Sequence, residues 1–136
     1  MEPKEPQQPV EYEAPFAELL DMRPGESAGG VGSAFMPVHD NHRQRAGVVQ
    51  GGLIVTLADY AIYRAVISLL GPGQQAVTVE LKVNFIAPAR DGTLTAIARV
   101  ISGGRQVMVA DVEVTGQGSI LIARGLGTYF VRQGQS

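Results

Sequence analysis

The chain has 136 residues, no cysteine and a formal net charge of −2. That length suits one domain, able to bury about two-thirds of its unfolded surface. The charge balance offers no basic stripe to nucleic acid, and the missing cysteines exclude a disulfide framework, a thiolate metal site and a cysteine nucleophile.

Residues 1–14 are rich in proline, glutamine and glutamate and read as a disordered tail. The opening Met1-Glu2-Pro3-Lys4-Glu5-Pro6 lacks the basic-then-apolar layout of a signal peptide, so a cytoplasmic location is expected. Pro15 at a first-turn position, followed by Phe16, Leu19 and Leu20, predicts a short amphipathic helix ending near Arg23-Pro24-Gly25. Ser27 to Val38 is glycine-rich but closes on Ala34-Phe35-Met36, an expected edge strand. A polar loop from His39 to Arg45 leads to a long apolar helix, Leu53 to Leu70, opened by Gly51-Gly52 and stopped by Gly71-Pro72-Gly73. Asp59, Arg64, Thr56 and Ser68 inside that helix argue for burial in a core rather than passage through a membrane.

Beyond the helix the period switches to two. Ala76 to Ile86 reads as a strand with Val77, Val79, Leu81, Val83 and Phe85 on one face and Thr78, Glu80, Lys82 and Asn84 on the other. Pro88 ends it and Asp91-Gly92 makes a turn. Strands are expected over Thr93 to Ser102, Gln106 to Thr115 and Ser119 to Val131. The sum is an α+β domain over residues 15–132, with 133–136 as a tail: one long helix on one face of a curled antiparallel sheet of five or six strands. One helix leaves the sheet edges bare, so pairing with a second copy is expected, as a dimer or a dimer of dimers.

Asp59 is the residue with the most chemistry to explain. It sits in a helix that is apolar nearly all round, where an ionised carboxylate is costly unless paired or functional. Val55, Thr56, Ile62 and Tyr63 hold the places three and four residues away, so no cation lies on its face. A carboxylate that merely meets water through a groove is the alternative of equal weight. The helix start at Gly51-Gly52 offers free amides and a positive dipole end to a carbonyl oxygen. Asp59 lies eight residues further on, which is about 12 Å along the axis. One reacting carbon cannot sit within about 3 Å of both. An antiparallel helix from a two-fold partner would bring Asp59 of one chain beside Gly51 of the other.

The ordered set Gly47-Val48-Val49-Gln50-Gly51-Gly52, Leu57-Ala58-Asp59, Val77-Thr78-Val79-Glu80-Leu81, Phe85-Ile86-Ala87-Pro88-Ala89 with Gly92, Gly104-Arg105, and Ala123-Arg124-Gly125 with Gly127-Thr128 resembles the hotdog-fold acyl-CoA thioesterases of the phenylacetate-degradation (PaaI) type. The resemblance implies that Asp59 is general base or nucleophile on a thioester, and that Gly51 donates its N–H to the thioester oxygen from the opposing subunit. Gln50 departs from the family's histidine before the glycine pair. Gln44 falls where the family has asparagine and is implied to orient thioester or water, with Asn41 as a rival; Thr78 is implied to hold the attacking water. Gly52 and Gln50 are the candidate contacts to the acyl thioester, and Arg105 and Arg90, with Lys82 behind them, those to coenzyme A phosphates; Tyr63, a helical aromatic, either shapes the pocket or packs in the core. The reading is an acyl-CoA hydrolase of an aromatic or a short- to medium-chain substrate, needing no cofactor and no metal, and binding neither nucleic acid nor membrane. A hydratase or dehydratase on enoyl or hydroxyacyl thioesters, using His39 or His42, and a non-catalytic acyl-CoA-binding module are the alternatives. His39 and His42 themselves read as exposed loop residues rather than ligands.

Overall fold

The computed structural model describes residues 9–134. The elements run α1 (Pro15–Leu20), β1 (Arg23–Ala28), β2 (Val31–Pro37), a 3-10 turn (Asp40–His42), α2 (Gly51–Ile67), β3 (Gln74–Phe85), β4 (Thr93–Gly103), β5 (Val107–Thr115), a second short 3-10 turn and β6 (Leu121–Gln133). The six strands form one antiparallel sheet in the order β1-β2-β4-β5-β6-β3, and α2 touches every strand of it. This is the expected α+β, hotdog architecture.

The helix is buried because its apolar residues surround it. Ile54, Leu57, Ala58, Ala61, Ile62, Ala65 and Val66 are each at most 3 % exposed. They meet the inward positions of β4 and β5, Leu94, Ala96 and Ala98 with Ala110, Val112 and Val114. Small residues recur where the helix lies on the strands, and Gly32 is the tightest case, since a Cβ there would lie 2.2 Å from the Ala65 amide nitrogen. α2 stops at Ile67, short of the expected Leu70. Ser68 follows as its C-cap, donating its hydroxyl to the Ala65 carbonyl and accepting the Gly30 amide.

Three expectations are corrected. The stretch read as one edge strand is a hairpin, β1–β2, turning through Gly29 and Gly30 at φ +58° and +83°. β1 was hidden because Pro24 and Gly25 are poor strand formers, tolerated here because β1 lies at the sheet edge. β2 lies inside the sheet, between β1 and β4. The simple alternation predicted for β3 also fails: Thr78 pairs with Tyr129 and Glu80 with Thr128, leaving Val79 as an extra, bulged residue. The bulge switches faces, so Thr78 turns toward α2 on the same side as Leu81 and Val83, while Val77 and Val79 are 43 % and 60 % exposed.

Of the tail expected over 1–14, residues 1–8 lie outside the described residues. Tyr12 and Glu13 are held to the domain, Tyr12 donating to Asp21 and Glu13 accepting from Tyr60 and Arg64. At the other end β6 continues to Gln133, and residues 135–136 lie outside the described residues. Among the described residues no helix is long and apolar enough to cross a membrane.

Candidate active site

Asp59 is not a stray charge. Its Oδ1 accepts hydrogen bonds from Tyr129 OH at 2.6 Å and Thr78 Oγ1 at 2.9 Å. Those two donors are cross-strand partners on β6 and β3, and directly opposed side chains on one face converge by construction. The bulge at Val79 therefore aims Thr78 at the helix, and the antiparallel pairing delivers Tyr129 beside it. The Tyr129 hydroxyl also lies 3.1 Å from the Asp59 backbone carbonyl. Burial first, and then the hydrogen bond to Asp59, raise the Tyr129 pKa well above the usual phenol range, so it remains a proton donor to the carboxylate. With both donors on Oδ1, Oδ2 is the oxygen left for a reacting group.

Asp59 opens into a groove of about 490 Å³ shared with Thr56, Tyr60, Tyr63, Val77, Thr78 and Tyr129, with Glu13 and Ala14 just before α1, and with Phe16 in its first turn. Of the residues singled out in the sequence, Asp59, Thr78 and Tyr63 thus come together. Gly51 and Gln44 line a different concavity, with Phe85, Pro88 and Ala89. Gln50 caps α2 without a side-chain cap bond and is exposed, and its backbone amide is taken by the His42 carbonyl. The amides of Leu53 and Ile54 bond back to the Gln50 carbonyl, whereas those of Gly51 and Gly52 precede the first helical bond. Gln44 spends its side-chain oxygen on the Ala46 amide, which leaves its NH₂ as the free donor. Asn41 is exposed in the 3-10 turn. Arg105 lines a separate hollow with Gln106 and Arg132, and Arg90 another with Gln117 and Ile120. Neither arginine reaches the Asp59 groove of its own chain.

The exposed-loop reading holds for His39, whose side chain is 51 % exposed, and is corrected for His42. His42 is 3 % exposed; its Nε2 donates to the Leu20 carbonyl at 2.9 Å and its Nδ1 accepts the His39 amide at 3.0 Å. A ring accepting at Nδ1 must be neutral, and burial accordingly lowers its pKa. His39 Nε2 lies 2.7 Å from Asp21 Oδ2. Both rings are engaged in tying the loop to α1, as a structural pair rather than an acid or base for a hydratase. Among the described residues no three His, Cys, Asp or Glu side chains are grouped to hold a metal.

Tyr129 is the site residue that sequence reasoning missed. The available signal was a tyrosine in an alternating strand, since a buried phenol needs a hydrogen-bond partner.

A family model described as the thioesterase superfamily matches residues 46–123, the stretch from the α2 entry loop through the start of β6. The chain belongs to that superfamily. Mouse acyl-coenzyme A thioesterase 13 is 30% identical over 95 residues, 68% of this chain and 67% of that protein. The E. coli PaaI protein from the phenylacetic acid degradation operon superposes with a TM-score of 0.80 at 27% identity, over 90% of this chain and 88% of that one. A Bacillus halodurans protein whose structure was determined with CoA gives 0.80 at 28% identity, covering 89% and 78%. A protein of Saccharolobus solfataricus is 39% identical over 62% of this chain, which spans 56% of that relative's length.

Proposed function

We propose that the chain hydrolyses an acyl-CoA thioester at a site shared by two subunits, with Asp59 from one and Gly51 and Gln44 from the other. The observation that carries this reading is the fixed carboxylate: Asp59 Oδ1 is held by Thr78 and Tyr129 while Oδ2 is left for chemistry. Membership of the superfamily supports thioester chemistry, and the mouse thioesterase and the CoA-bound neighbour support coenzyme A as the thiol.

Separation along the helix supports the shared site. Gly51 and Asp59 line different concavities of one chain, and at about 1.5 Å per residue they stand about 12 Å apart. β3 is a sheet edge carrying the exposed Val77, Val79 and Phe85, with the exposed Ile86 directly after it. An edge of that kind is suited to pairing with its own copy across a two-fold axis. Phe85 packs over Gly51 while Thr78 reaches Asp59, so one strand borders both half-sites.

In this reading Asp59 Oδ2 removes a proton from a water molecule as the water oxygen bonds to the thioester carbonyl carbon. The Thr78 hydroxyl, already donating to Asp59, accepts the water's second hydrogen and aligns it. The carbonyl oxygen becomes an oxyanion facing the partner's helix start, where the Gly51 amide and the α2 dipole stabilise it. The Gln44 NH₂ holds the thioester from the same side. Collapse of the intermediate breaks the carbon–sulfur bond; the leaving thiolate takes up the proton held by Asp59, giving free carboxylic acid and coenzyme A. A panel of acyl-CoAs with detection of released thiol tests this. Turnover lost in Asp59→Asn is expected; no turnover by the wild type, or full activity in Asp59→Asn, refutes it.

A further inference from the structure

The Asp59 groove is walled on one side by the chain that leads into the first helix and by that helix's first turn. Glu13, Ala14 and Phe16 line it. The segment is fastened to α2 rather than laid on it loosely. Glu13 Oε1 accepts from Tyr60 OH at 2.7 Å and from Arg64 Nη1 at 2.8 Å, and the Phe16 ring stands edge-on to Tyr60 with centroids 5.4 Å apart. Arg64 is itself anchored, donating through Nη2 to the Gly25 carbonyl at 2.8 Å. Burial, then the bond to Glu13, raise the Tyr60 pKa, so the phenol stays a donor to that carboxylate. These fastenings lie on the Tyr60–Arg64 turn, on the C-terminal side of Asp59 and so away from Gly51.

We infer that Glu13 and Phe16 are specificity-determining residues, forming the wall that limits the size of the acyl group; this rests on the thioesterase reading above. A thioester carbon placed at Asp59 directs its acyl group either along α2 into this wall or back toward the coenzyme A entrance. Phe16, Tyr60 and Tyr63 supply flat apolar surface, and the pairing of Glu13 with Arg64 neutralises the charge that the wall itself would otherwise present to an apolar chain. The ligand that fits is a compact acyl group, aromatic or short, and long chains are turned away by Phe16 and the fastened backbone of Ala14.

The test is kcat/KM across acyl-CoAs of increasing chain length for the wild type, Phe16→Ala, Phe16→Trp, Glu13→Ala and Glu13→Gln, with stability followed by thermal melting. Phe16→Ala and Glu13→Ala should raise the long-to-short ratio by up to about fourfold for each methylene that finds new room. Phe16→Trp should move the cut-off to shorter chains, and Glu13→Gln, which keeps an acceptor for Tyr60, should stay near the wild-type profile. Should Glu13→Ala fail to fold, the opposed shifts of the two Phe16 variants decide. An active enzyme whose ratio moves in neither Phe16 variant overturns the wall alone. A wild type that cleaves no acyl-CoA overturns the thioesterase reading and the wall with it.

Discussion

Replacing Gly51 with proline separates the oxyanion amide from everything else at the helix start. Gly51 is the first residue of α2, the position where proline is best tolerated, because its N–H has no partner within the helix and its φ is already helical. The residue before a proline must be extended, and Gln50 already is, at φ −58° and ψ 130°. The nearest atom to a new Cβ is Phe85 Cζ at 3.3 Å, the far end of a side chain that is 55 % exposed and free to shift. Folding should therefore survive while the proposed donor disappears. Losing one such donor costs about 3 kcal/mol of transition-state stabilisation, roughly a hundred- to a thousandfold in kcat. The same variant tests the sharing of the site. In an equimolar mixture of Gly51→Pro and Asp59→Asn chains that exchange subunits, half the dimers are mixed. Each mixed dimer holds one site with both residues intact, so about a quarter of wild-type activity should return. Thiol release measured before and after exchange, with mixed dimers verified by differently tagged chains, gives the answer. No recovery despite proven exchange would show that Gly51 and Asp59 do not act on one substrate across the interface.

Tyr129→Phe removes one of two donors to Asp59 and should lower kcat about tenfold or more with KM little changed, given about 1.5–3 kcal/mol for a hydrogen bond to a charged group; steady-state kinetics check it, and an unchanged kcat would reduce Tyr129 to packing. Gly32→Ala puts a Cβ 2.2 Å from the Ala65 amide nitrogen and 2.5 Å from the Ala61 carbonyl oxygen, both backbone, so a loss of about 3 kcal/mol or failure to fold is expected in urea denaturation. Asp21 is raised by burial but lowered more by the combined hydrogen bonds from Arg23, His39 and Tyr12, bringing its pKa from 3.8 to about 2. A folded-state pKa below the unfolded one stabilises the fold above pH about 4, and that contribution is lost as pH falls toward 2. Asp21→Asn should therefore cost about 2 kcal/mol at neutral pH and almost nothing near pH 2, read from denaturation midpoints across that range.

What the sequence made legible and what it hid divide along a physical line. α2 was legible because seventeen residues of largely apolar character, broken by Thr56, Asp59 and Arg64, specify a buried helix without reference to anything else. β4, β5 and β6 were legible because their inward and outward residues alternate over nine residues or more. β1 was not: Pro24 and Gly25 carry no strand signal, and that strand exists because β2 supplies its hydrogen bonds. The same dependence on a neighbour explains the site. Asp59 stood out alone, since its cost in an apolar helix follows from local sequence. Its partners Thr78 and Tyr129 are fifty-one residues apart, and only the register of β3 against β6 makes them neighbours. The bulge at Val79 then decides the face, and an alternation count across it places Thr78 on the wrong side. His42 was misjudged for a related reason, because its burial comes from the Leu20 carbonyl at the end of α1, twenty-two residues earlier. Residues whose role follows from their own helix or strand can be read from the chain, whereas those assembled by register, bulge or a second copy require the fold. Gly51 belongs to the last group. Its amide is unspent in its own chain's helix, and its proposed use lies in the other subunit, which is why subunit exchange between two inactive variants is the decisive measurement.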